Sequence, residues 1–98
     1  MSDDHKDSLV RNRCTMVRNL AIGDVLGALL QARVLTGGNV ERIRCKEGEE
    51  QVELFLDMLS RKSDEAYGRF VHVLRTENQE HVANILDPDG VIPGAKPV

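Results

Sequence analysis

Apolar residues return every three to four positions in one short segment after another, and no stretch sustains the alternation of a half-buried strand. Each stripe covers only a few helical turns before a glycine, a proline or a polar cluster ends it. Helices of that length are marginal alone in water, so their stripes must be buried against one another. The expected fold is therefore all-α, a six-helix antiparallel bundle.

The first helix, about residues 8–20, places Leu9, Val10, Cys14, Met16, Val17 and Leu20 on one face, with Asp7 or Ser8 as N-cap. Arg13 falls inside that arc. Either its stem snorkels across the core edge, or the helix is kinked and the arginine swings out, and the fold carried forward has the kink. "AIGDVLGALLQARVL" reads as a second helix with Val25, Leu26, Leu29, Leu30 and Val34 inside and Asp24 as cap, stopped by "TGGN". Thr36 or Asn39 opens a short third helix carrying Val40 and Ile43 and ending near Gly48. Residues 49–61 read as the most buried helix, with Val52, Leu54, Phe55, Leu56, Met58 and Leu59 inward and Glu49, Glu50, Glu53 and Asp57 outward.

"KSDEAYGRFVHVLRT" brings a tyrosine, two arginines and a histidine into one segment. At about 100° per residue Ala66, Tyr67, Phe70, Val71, Val73 and Leu74 share one arc, and Gly68, Arg69, His72 and Arg75 fill the other side. This is a fifth core helix capped by Ser63 or Asp64, with His72 solvated on its polar face, rather than a catalytic cluster. A sixth helix from about Asn78 to Leu86 turns Val82, Ile85 and Leu86 inward, with Thr76 and Gln79 at capping-box spacing. Residues 1–7 are expected to be a flexible N-terminus, 8–87 the domain, and 88–98 a proline- and glycine-rich linker to a downstream domain.

A chain of 98 residues, 41% hydrophobic, suits one domain with a modest core. The acidic, polar start resembles no secretory signal, and no apolar run is long enough to span a membrane, so a cytoplasmic protein is expected. A net charge of −3 and the lack of an exposed aromatic row speak against nucleic acid, and no uncovered apolar face speaks for a membrane. Cys14 and Cys45 have no ligand spacing and His5, His72 and His81 are scattered, so no metal or other cofactor is expected; Cys14 is read as a small buried thiol. No Cys-His pair, phosphate-binding loop or paired carboxylates suggests catalysis within these residues.

The segments "RNRCTMVRNL", "VLGALLQARVLT", "VERI", "VELFLDMLSRKSDEAYGRFVHVL" and "LRTENQEHVANIL" follow in an order that resembles the caspase recruitment domain (CARD) of the death-fold superfamily. The last two are the most specific: they are similar to the prodomains of initiator caspases and to the N-terminal domain of the apoptosome scaffold, which this chain's own tail "DGVIP" also resembles. Where many caspase CARDs have a glycine after the basic pair between helices four and five, this chain has Ser63. The resemblance implies homotypic assembly, a charged patch on helices one and four of one domain meeting an opposite patch on helices two and three of the next. Helix one offers Arg11, Arg13 and Arg18, with Arg11 and Arg13 matching an R-x-R of initiator-caspase CARDs; helix four offers the acids Glu49, Glu50, Glu53 and Asp57. Helices two and three present Arg33, Arg42 and Arg44 beside Asp24 and Glu41, so both faces are mixed in sign. Like charges such as Glu49 and Glu53 at i and i+4 oppose a helix by about 0.2–0.5 kcal/mol, a cost that a basic partner relieves.

The function so implied is recruitment and clustering of an initiator caspase for proximity-driven activation in apoptosis, through another CARD-containing protein or self-assembly. The alternatives are the recruiting domain of an apoptosome scaffold ATPase and a stand-alone adaptor or decoy. In each case the domain itself is not an enzyme.

Overall fold

The computed structural model describes residues 3–87, which form seven helical segments and no strand. These are α1 (Asp3–Arg11), α2 (Arg13–Asn19), α3 (Ile22–Gln31), α4 (Gly37–Arg44), α5 (Glu49–Leu59), α6 (Asp64–Thr76) and α7 (Glu80–Leu86). The expected linker 88–98 lies outside the described residues.

The expected single first helix is two segments separated at Asn12, and it begins at Asp3 rather than Ser8, so residues 3–7 are helical. Asn12 sits at φ −101°, ψ 7°, outside helical geometry, while its side-chain amide donates to the Ser8 carbonyl at 2.9 Å. The buried stripe runs on across it at the helical period and is narrower than expected. Leu9, Met16 and Leu20 are buried, whereas Val10 is 72% exposed and Cys14 is exposed, contrary to expectation. At about 100° per residue Val10 and Cys14 lie about 100° and 140° round from Leu9, outside a stripe that narrow. Cys45 is likewise exposed.

α3 begins two residues before Asp24, which therefore occupies the first turn rather than the cap and complements the helix dipole there. The helix ends earlier than "TGGN". The Val34 N–H bonds the Leu29 carbonyl at 2.9 Å and the Arg33 N–H bonds the Leu30 carbonyl at 3.1 Å, with Arg33 in the left-handed region at φ 63°. This is the Schellman ending, normally built on glycine. Leu30 is 43% exposed rather than inward, and Leu35 joins the core instead. Thr36 is the cap of α4: its Oγ1 accepts from the Asn39 N–H, and Asn39 Oδ1 accepts from the Thr36 N–H, both at 3.1 Å.

α6 is the most buried helix, a place the sequence assigned to α5. Seven of its residues are buried, Gly68 among them, whereas Leu54 and Met58 of α5 are only half-buried. Phe55 and Phe70 meet edge to face, ring centroids 5.0 Å apart, and join α5 to α6. Ser63 caps α6, its Oγ accepting from the Ala66 N–H at 3.2 Å, which gives the departure from glycine a structural reason.

The polar side of α6 is engaged rather than solvated. Arg69 pairs with Glu65 and reaches the Ala32 carbonyl at 3.4 Å. Arg75 donates to Asn84 Oδ1 at 3.0 Å and to the Asp87 carbonyl at 2.8 Å, holding α7. His72 is half-buried, with Nδ1 shielded from solvent and making no hydrogen bond among the described residues. α6 ends as α3 does, with Asn78 at φ 63° and the Gln79 N–H on the Leu74 carbonyl at 2.9 Å. The capping box expected of Thr76 and Gln79 does not form. Thr76 Oγ1 turns back to the Val73 carbonyl, and Gln79, only 5% exposed, donates to the Ala21 carbonyl and accepts from the Ala21 N–H, both at 3.0 Å.

Candidate protein-interaction surface

The expected helices one and four correspond to α1–α2 and α5. α2 packs along α5, which brings Arg13 and Arg18 beside Glu49 and Glu53 across a groove of about 190 Å³ that Cys14 and Val17 also line. Arg13 swings outward. Its guanidinium donates to Asp57 Oδ1 at 3.0 Å and to the Glu53 carbonyl at 3.4 Å. Within the acidic stripe Asp57 therefore already has a cation from the same chain. Glu49 and Glu50 stand in the first turn of α5, where negative charge is favourable. Their N-cap, Gly48 at φ 58°, adopts a backbone that glycine takes without strain and offers no side chain to cap with. Arg11 and Arg18 remain exposed, as do Glu49, Glu50 and Glu53.

α3 and α4 correspond to helices two and three. Asp24 on α3, Arg33 in the turn after it, and Glu41, Arg42 and Arg44 on α4 are all exposed. Arg33 owes its position to the left-handed turn after α3, whereas Glu41, Arg42 and Arg44 sit on α4 around its buried Val40 and Ile43. The structure thus spreads the sequence-derived residues over two mixed-sign faces that meet where Arg42 of α4 and Asp57 of α5 line one groove. A groove between α4 and α5 adds Arg61 and Lys62, which sequence reasoning did not place in a site. Val10, which sequence reasoning assigned to the core, is also exposed.

The described residues thus form a helical bundle with charges of both signs exposed on two of its faces. A model of the caspase recruitment domain family matches residues 6–89. The chain belongs to the CARD family and is a non-catalytic homotypic interaction module. Among curated proteins it is similar to caspase-2 of Gallus gallus, 27% identical over 84 residues, which is 84% of this chain and 20% of that protein. The chain thus spans one fifth of that relative's length. No solved structure gives a significant match.

Proposed function

We propose that this domain recruits and clusters an initiator caspase for proximity-driven activation in apoptosis, by docking in the cytoplasm on another CARD-containing protein. Family membership supports the homotypic mode, and the similarity to caspase-2 supports a caspase context. The observation that carries the recruiting surface is the exposure of Arg11 and Arg18 on α1–α2 and of Glu49, Glu50 and Glu53 alongside them on α5. The second surface comprises Asp24, Arg33, Glu41, Arg42 and Arg44. Charges at a solvent-accessible rim mainly speed encounter, and repeated contacts supply the avidity.

The test is light scattering of the domain mixed with a caspase-2 CARD, at low and high salt. Arg11→Glu, Arg18→Glu and Glu53→Arg should each weaken association about tenfold or more, and salt should weaken the unmodified pair. Arg13→Glu should also weaken it, but because Arg13 anchors α2 to Asp57 its effect includes a loss within the chain. Association indifferent to all four changes and to salt would sink the electrostatic reading. Sequencing the native transcript past residue 98 tests the parent: a Q-A-C-[RQG]-G segment fits a caspase, G-x-x-x-x-G-K-[ST] a scaffold ATPase, and an early stop an adaptor or decoy.

A further inference from the structure

The groove between α4 and α5 gathers cations that the chain itself leaves unused. Its volume is about 350 Å³, and Arg42, Arg61 and Lys62 stand around the half-buried Leu54 and Met58. Arg42 and Arg61 take part in no salt bridge among the described residues. Lys62 Nζ lies 3.4 Å from Asn39 Oδ1, an oxygen that already accepts the Thr36 N–H, so this ammonium is held over the first turn of α4, the positive end of that helix. Asp57 also lines the groove, but Arg13 holds its carboxylate at 3.0 Å and offsets its charge. Three cations against one compensated carboxylate leave the groove positive, although the chain carries a formal net charge of −3.

Such a place suits an anion with several charges, and phosphate above all: a guanidinium grips phosphate oxygens in pairs, and an ammonium adds a point charge. The floor adds a second requirement. Leu54 and Met58 keep apolar surface in contact with water, and a flat apolar body laid over them would remove it, with the thioether of Met58 favouring an aromatic ring. Sites for small molecules span about 300–1,000 Å³, so this groove is at the small end of that range. We propose that the α4–α5 groove binds a nucleoside triphosphate, its phosphates on Arg42, Arg61 and Lys62 and its base on Leu54 and Met58. Leu54, Met58, Arg61 and Lys62 are not among the residues assigned to recruitment. Arg42 belongs to both sites, and it is left unaltered in the test so that the two readings stay apart.

Calorimetric titration of the full chain with adenosine triphosphate, inorganic tripolyphosphate and adenosine tests this. The triphosphate should bind one to one, about tenfold or more tighter than either of its parts, and added salt should weaken it. Arg61→Gln with Lys62→Gln should weaken it about tenfold or more. Met58→Gln, which keeps the length of the side chain, should weaken adenosine triphosphate about threefold and leave tripolyphosphate as it was. Arg11→Gln with Arg18→Gln, which lie outside the groove, should change neither. Thermal melts by circular dichroism establish that each variant folds. In the wild-type chain, which needs no variant, the triphosphate should shift backbone amide resonances of residues 39–42 and 54–62 above all others. No binding, shifts centred elsewhere, or equal loss from the Arg11 and Arg18 pair would overturn the proposal, the last by showing general attraction to positive charge. Tripolyphosphate binding as tightly as the nucleotide would overturn it too, because the apolar floor would then have no role. Capture of a caspase-2 CARD by the Arg61→Gln, Lys62→Gln protein reads the recruiting function separately, so either proposal can fail while the other stands.

Discussion

Gln79 shows how much one side chain can decide. Its amide completes both backbone bonds of Ala21 at the entry to α3, from a position 58 residues later in the chain. Replacing it by Met keeps the volume but removes both hydrogen bonds, and a loss of about 1–3 kcal/mol should appear in urea denaturation. Arg33 is a milder case. Its left-handed φ of 63° costs an ordinary residue about 1–2 kcal/mol that glycine does not incur, partly offset by the entropy glycine loses on folding. Arg33→Gly should therefore stabilise the domain by about 0.5–1 kcal/mol in the same measurement. Tyr67, the chain's single tyrosine, is fully buried, and burial pushes its phenol above its ordinary pKa of 10.0 despite the hydrogen bond to Ser8 Oγ. Because the folded value is the higher one, its contribution is fully present below pH 10 and is lost as pH rises through the raised folded value. Tyr67→Phe should lack that alkaline loss, which paired denaturation curves between about pH 9 and 11 would reveal.

Among the elements, α1 departs furthest from expectation. His5 stacks on Tyr67 with ring centroids 4.2 Å apart, and its Nδ1 lies 2.8 Å from Asp64 Oδ1, so α1 is docked on α6 through His5. Removing residues 1–7 should cost about 0.5–1.5 kcal/mol in a thermal or urea melt, where a flexible lead-in would cost nothing. The joint between α2 and α5 should be weaker than its geometry suggests. Arg13 and Asp57 have side chains 37% and 58% exposed, and such pairs contribute about 0.2–1 kcal/mol. A double-mutant cycle with both residues changed to alanine would measure that coupling, and a larger value would mean that the α2–α5 seam depends on this pair.

For the whole molecule, stability rests on α6 and what packs against it. Phe70 is fully buried against Phe55, and Phe70→Ala should cost about 3–5 kcal/mol, a large part of what a domain this size possesses. Much of this plan was legible beforehand. The apolar stripes of α3 to α7, the turn at Thr36 and the cap at Ser63 all follow from local spacing, and the segment order led to the CARD family, to which the chain belongs. The exceptions lie at the edges of those stripes and at the helix ends. Val10 and Cys14 were assigned to the core by too wide an arc, whereas the buried stripe holds only Leu9, Met16 and Leu20, and Leu30 of α3 is likewise exposed at the edge of its arc. The site was legible only as a set of charges, because which charges meet depends on how helices are laid side by side.

The sequence by itself determined an all-helical domain, its principal helices and most of their buried stripes, since these depend on residues within a few turns of one another. Tertiary structure alone decided that Arg13 would be spent on Asp57, that Gln79 would be buried against Ala21, that α6 rather than α5 would lie deepest, and that Val10 would face outward. Those outcomes join residues up to 58 positions apart. Helical periodicity records which side of a helix is apolar, but not what another helix will bring to the other side.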